Sequence, residues 1–124
     1  MNKLIHSLII IITTLMLCFV SFKNTNIIAK KSLEYIKKIE NLTNNNKNSD
    51  KEIQKFDEFW NKKSKILQIL IHHEHIEDIN SEIAKLKLAI QEKNKFEILK
   101  ICNYLNSKLK NLEKIDEISL ENIL

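Results

Sequence analysis

Neither glycine nor proline occurs anywhere in this 124-residue chain. Average usage would supply about 9 glycines and 6 prolines at this length. A chain without turn-formers can run nearly its whole length as helix, whereas β-rich folds need glycine-bearing hairpin turns. Codon drift is the competing cause: 22 Ile, 20 Lys and 15 Asn stand against 3 Ala and no Arg, the pattern of an AT-rich genome. Either way the absence excludes several chemistries. A P-loop, a GxGxxG dinucleotide turn, a GxSxG nucleophile elbow and an EF-hand loop each require glycine for backbone reasons.

Residues 4–22, LIHSLIIIITTLMLCFVSF, carry no formal charge and are bounded by Lys3 and Lys23. About 20 apolar residues span a bilayer as a helix, and His6, Ser7, Thr13 and Thr14 are tolerated near its ends or by bonding back to the backbone. The first reading is therefore an uncleaved anchor contacting the lipid bilayer through residues 4–22. A cleaved signal is the rival, but Val20-Ser21-Phe22 is a poor cleavage site. A lipoprotein modified at Cys18 is weaker still, because Leu17 before it is large. Orientation divides the evidence. Lys23, Lys30, Lys31, Lys37 and Lys38 follow the run, which a literal positive-inside count assigns to the cytoplasm. A very short basic tail ahead of an apolar run is instead how secretory signals look, and it favours a single-pass cell-membrane protein with its body outside the cytoplasm.

Beyond residue 22 the body carries a net charge of +3, with lysines and acids interleaved. Arginine, the preferred bidentate partner of phosphate and guanine, is absent, so nucleic acid is not an expected partner. The segment 23–49 alone sums to +4, which suits either anionic lipid beside the membrane or ordinary solvated helix faces.

Apolar spacing predicts an all-α fold. Ile28, Tyr35, Ile36, Ile39 and Leu42 share one side of a juxtamembrane helix over 23–43 that can continue the membrane helix. The polar run 44–49 breaks it. Ser49 with Glu52 reads as a capping box, and Asp50 suits the positive end of a new helix. Three-four spacing then links Ile53, Phe56, Trp60, Leu67 and Leu70, and resumes two residues out of register as Ile76, Ile79, Ile83, Leu86 and Ile90. The offset at His72–His75 implies a stutter, a bend or a change of face. Asn94 with Glu97 forms a second capping box ahead of Leu99, Cys102, Leu105, Leu109 and Leu112. The expected organisation is an anchor or signal segment at 1–22, the juxtamembrane helix at 23–43, a linker at 44–49 and a helical hairpin domain at 50–124. A long helix over 50–92 would measure about 65 Å against about 30 Å for the shorter antiparallel helix 95–114. That mismatch favours a bend near the histidines, or a partner chain over the exposed half; a hairpin or small three-helix bundle results. A core this small is marginal alone, so self-association or a helical protein partner is expected.

Chemistry-bearing residues are few. His72, His73, Glu74 and His75 precede Glu77, Asp78 and Glu82, in a segment with no lysine between Lys65 and Lys85. On a helix His72 and His75 share a face with Asp78 on the next turn, a partial metal-ligand set. The HExxH zinc pattern is not met, since Glu77 stands four residues after His73. Packed or solvated histidines are the plainer reading. Trp60, the only tryptophan, lies in line with Phe56 and Ile53 and reads as a core or bundle-interface residue. Cys18 and Cys102 lie in different parts of the molecule and do not suggest an intrachain disulfide. Nothing pairs a nucleophile with a base, so no catalytic residues and no cofactor are expected.

The short anchor, Trp60 near the start of a long helix, His73-Glu74 near its middle, and the closing Asn122-Ile123-Leu124 together resemble the DUF4363 family. These are small membrane-anchored helical proteins of unknown function from low-GC spore-forming bacteria. The resemblance implies an anchored, helical, extracytoplasmic protein. The candidate interaction or core residues are Trp60, Phe56, His73, Glu74 and Asn122. The resemblance implies no activity, and neither His72, His75 nor the asparagine linker maps onto it. Two functions remain: a non-enzymatic interaction or structural module, and a metal- or pH-responsive module using the cluster from His72 to Glu82.

Overall fold

The computed structural model describes the backbone of residues 2–71 and 73–123 and the side chains of residues 2–20, 23–69, 71 and 73–114. These residues form four helices: α1 (Asn2–Asn44), α2 (Asp50–Leu70), α3 (His73–Gln91) and α4 (Lys95–Ile123). No strand occurs among the described residues. Each helix packs on two others, α1 on α2, α2 on α3, α3 on α4 and α4 back on α1, which closes a ring. Side-chain pairs give the directions. Lys38 meets Glu52 and Tyr35 meets Phe56 across α1 and α2. Trp60 meets Asn80 across α2 and α3, and Asp78 meets Tyr104 across α3 and α4. Rising positions on one helix match falling positions on the next, so sequential neighbours run antiparallel.

The predicted long helix over 50–92 is thus two helices. Ile71, with φ −126° and ψ 151°, is extended and stops α2, and α3 starts at His73. The two-residue slip in the apolar series marks this corner: continuing the helix would carry Ile76 and Ile79 off the face that buries Phe56 and Trp60. Folding back keeps both series in one core and removes the length mismatch. The second half of α1 supplies the fourth wall, so the core lies on both sides of the 44–49 linker.

With no glycine available, two helix ends use other residues in the left-handed region. Asn46 and Lys93 both have φ 55°. After α1 the Lys47 N–H bonds Leu42 C=O at 2.8 Å and the Asn46 N–H bonds Thr43 C=O at 3.1 Å. After α3 the Asn94 N–H bonds Ala89 C=O at 3.0 Å and the Lys93 N–H bonds Ile90 C=O at 3.1 Å. Both are complete Schellman motifs. Asn tolerates this conformation and Lys does so at a cost.

The capping boxes form only in part. Ser49 stands at the N-cap of α2 but its side chain makes no cap bond. Asn48 Oδ1 instead accepts from the Asp50 N–H at 2.8 Å, while Glu52 turns to Lys38 at 3.6 Å. At α4, Asn94 Oδ1 accepts from the Glu97 N–H at 3.3 Å. The reciprocal bond is excluded because the Asn94 N–H is already held by Ala89.

The core runs through all four helices: Ile28, Ile36 and Ile39; Ile53, Phe56, Trp60 and Leu67; Ile76, Ile79, Ile83, Leu86 and Ile90; Ile98, Ile101, Cys102, Leu105, Leu109 and Leu112. Tyr35 stacks obliquely on Phe56 and Phe59 at 5.8 and 5.6 Å, and Phe56 on Trp60 at 6.4 Å. Small buried residues on α1, Thr25, Ala29 and Ser32, let its neighbours approach closely. Residues 2–20 are different. All are exposed, and no other helix covers them. This part of α1 contains an 18-residue window of mean hydropathy 2.4 and is long and apolar enough to cross a membrane. Its hydroxyls bond back along the helix, Ser7 to Lys3 C=O, Thr13 to Ile9 C=O and Thr14 to Ile10 C=O at 2.8–2.9 Å. No polar side chain there needs water for its O–H.

Candidate functional site

The α2–α3 corner carries the histidine cluster. His73, Glu74 and His75 occupy the first turn of α3 with all three side chains exposed. Glu74 there complements the positive end of the helix. His72 lies outside the described residues, so the proposed trio His72, His75 and Asp78 is described only at its last two members. Asp78 turns toward α4, where its carboxylate accepts from the Tyr104 hydroxyl at 3.0 Å and faces Lys108 Nζ at 3.2 Å. The Lys108 ammonium also lies 5.5 Å from the Tyr104 ring centre. Among the described residues, no three His, Cys, Asp or Glu side chains gather in a metal-holding group.

Charge within this Asp78–Tyr104–Lys108 knot is self-consistent. Desolvation pushes the Asp78 carboxyl upward, but the Tyr104 and Lys108 hydrogen bonds outweigh it and hold the group below its ordinary 3.8. The Asp78 bond raises Lys108 in turn. Because the folded pKa of Asp78 is depressed, its stabilising contribution is present above the unfolded value and is lost as pH falls through the folded one. The two groups are each about a third exposed, so solvent keeps that contribution small.

Trp60 lies in the core, 1% exposed, and its Nε1–H donates to Asn80 Oδ1 at 2.6 Å. A Lys87–Asp57 ion pair ties the same two helices nearer their other ends. On the α1–α2 side, Lys31 Nζ sits 5.3 Å from the Phe59 ring centre. Burial, helped by the negative charge of Glu40, pushes the Cys102 thiol up to about 12. A thiol held protonated in a core is inert as a nucleophile. The side chain of Asn122 lies outside the described residues, although its backbone belongs to α4.

A groove of about 750 Å³ runs between α3 and α4. Leu88, Ala89, Ile101 and Tyr104 provide apolar surface, and Glu82, bonded to Lys85 at 3.1 Å, lies at its edge. Leu88 is 55% and Tyr104 41% exposed. Sequence reading missed Asn80, Tyr104, Lys108 and Leu88. For Asn80 a signal existed: it lies four residues after Ile76 and three before Ile83, at the edge of the apolar stripe. The Tyr104 and Lys108 positions flank Leu105 and Leu109 in the same way.

These features define a helical-bundle protein whose first helix projects an uncovered apolar segment beyond the bundle. The chain belongs to the family described as Domain of unknown function (DUF4363), whose model matches residues 19–123. The match covers the entire bundle and begins near the end of the apolar run. No curated protein and no solved structure matches the chain.

Proposed function

We propose that this is a single-pass membrane protein whose extracytoplasmic four-helix body is a non-enzymatic docking module. The observation that carries the reading is the first part of α1: residues 2–20 are exposed, predominantly apolar and continuous with a helix that walls the bundle. Bilayer lipid is the solvent that makes such a surface favourable. The docking part of the reading rests on the α3–α4 groove, whose exposed Leu88 and Tyr104 offer anchors for an apolar side chain from a helical partner or a second copy. Several polar side chains of the body are occupied in joining helices, Trp60 with Asn80, Asp57 with Lys87 and Asp78 with Tyr104, which suits a scaffold better than a reaction centre.

Alkaline extraction of the full chain from cell membranes tests the anchor. The wild type is expected to stay in the pellet. An Ile11→Asp/Leu15→Asp variant is expected to move largely to the supernatant, because each central carboxylate costs about 2.5–3.5 kcal/mol on insertion. Release of the wild type by alkali contradicts the proposal.

A further inference from the structure

The α2–α3 corner bears the most exposed large apolar side chain described outside the run: Ile69 is 84% exposed, with Ile66 at 43%. Its position in the bundle gives this exposure a meaning. The turns at 45–49 and 92–94 lie at one end of the ring, where Lys95 Nζ donates to Asn46 Oδ1 at 3.2 Å. From that end about 20 residues of helix span about 30 Å. The opposite end is therefore formed by the region of Asn24 in α1, by the α2–α3 corner and by α4 near Lys114, beyond which the α4 backbone runs on to Ile123. The α1–α2 register agrees. Lys38 pairs with Glu52, Tyr35 with Phe56 and Lys31 with Phe59, so each step down α1 is matched by one step up α2. Carried on, the register brings Ile66 and Ile69 level with residues 21–24, where the apolar run ends.

We propose that the α2–α3 corner is a second membrane contact, with Ile66 and Ile69 seated in the interface of the bilayer that α1 crosses. This rests on the reading of residues 4–22 as a bilayer span. Charge favours the lipid surface as the occupant. Between Glu58 and Glu74 the chain has no acidic residue and three lysines, Lys62, Lys63 and Lys65, all exposed, with exposed Lys23 nearby on α1; these four outnumber the exposed Glu74 and Glu77 that open α3 on the other side of the corner. Anionic headgroups attract such a cluster, and the lysine stems lie along apolar surface while their ammonium groups stay wet. With two contacts the bundle stands fixed against the membrane and keeps the α3–α4 groove at a set orientation.

The test uses the full chain in vesicles of neutral lipid containing anionic lipid, with a nitroxide on a fraction of the acyl chains close to the headgroup. Cys18→Ser removes the exposed thiol, and Cys102 is buried and protonated, so native labelling reaches only a new cysteine. An environment-sensitive fluorophore is attached at Ile69→Cys, or at Lys47→Cys in the far turn as reference. Vesicle flotation establishes anchoring separately. The inference expects the probe at 69 to shift to the blue and lose about half its emission to the lipid nitroxide, with the probe at 47 unchanged. A floating chain whose probe at 69 behaves like that at 47 overturns the corner contact and leaves the span intact. A blue shift at 69 without lipid quenching means that protein covers the corner, and also overturns it. A chain that fails to float overturns both readings.

Discussion

The indole of Trp60 combines two demands that a sequence pattern records unequally. Its ring fills the core beside Phe56, and its N–H reaches the edge of the core, where Asn80 accepts it at 2.6 Å. Three-four spacing finds the ring. It does not find the acceptor, because an asparagine beside an apolar stripe resembles any solvated position until α3 folds back on α2. Removing the acceptor leaves a buried donor without its partner, a loss of about 1–2 kcal/mol. Asn80→Ala is therefore expected to lower the urea midpoint of the detergent-solubilised chain, followed by Trp60 emission, while Asn80→Asp, which keeps an acceptor, retains most of it. Equal midpoints for wild type and Asn80→Ala would remove the bond from the account. Asp78 illustrates the same limit. Its spacing from His72 and His75 suggested a ligand, whereas Tyr104 and Lys108 of α4 take up its carboxylate, and they lie 26 and 30 residues further along the chain.

Among the helices, starts and stops were legible where local chemistry decides them. The asparagine run ends α1, and Asn94 caps α4 by the bond its spacing predicts. Two details escaped for local reasons. At α2 the cap bond comes from Asn48 rather than Ser49, since either polar side chain could reach the first turn. The α2–α3 corner was visible only as a slip of register, because Ile71 is a good strand former that stops a helix without glycine or proline. The Schellman ends carry their own prediction. Lys93 holds φ 55° at the position glycine usually fills after a helix. Lys93→Gly relieves that strain, offset by the added freedom of the unfolded chain, for a net gain of about 0.5–1 kcal/mol. Chemical unfolding of the two proteins checks it. A gain of stability is expected, and a loss would mean that the left-handed residue is not limiting.

Across the whole molecule, α1 does two jobs that composition alone separates. Up to residue 20 it is uniformly exposed and chiefly apolar, and from Thr25 onward it buries one stripe and exposes lysines. The run in the first part and the periodicity in the second were both plain in the sequence. Closure of the ring was not, because reading 50–92 as one helix left a hairpin with an uncovered face. Once Ile71 breaks that helix, the face is covered by the chain's own α1 and α4. The same closure gives the exposed α3–α4 groove and the apolar α2–α3 corner their positions, one along the body and one at the end nearest the run.

Hydrogen exchange of the full chain in lipid nanodiscs, resolved by segment, tests the anchored four-helix bundle most directly. The account predicts slow exchange in two blocks of different origin. Residues 4–20 are protected in lipid and lose that protection when lipid is withdrawn, whereas the core-lining segments 25–42, 53–67, 76–90 and 98–112 stay protected in either medium. Equal exchange of residues 4–20 with and without lipid, or rapid exchange across 25–42 while α2 to α4 stay protected, would contradict it.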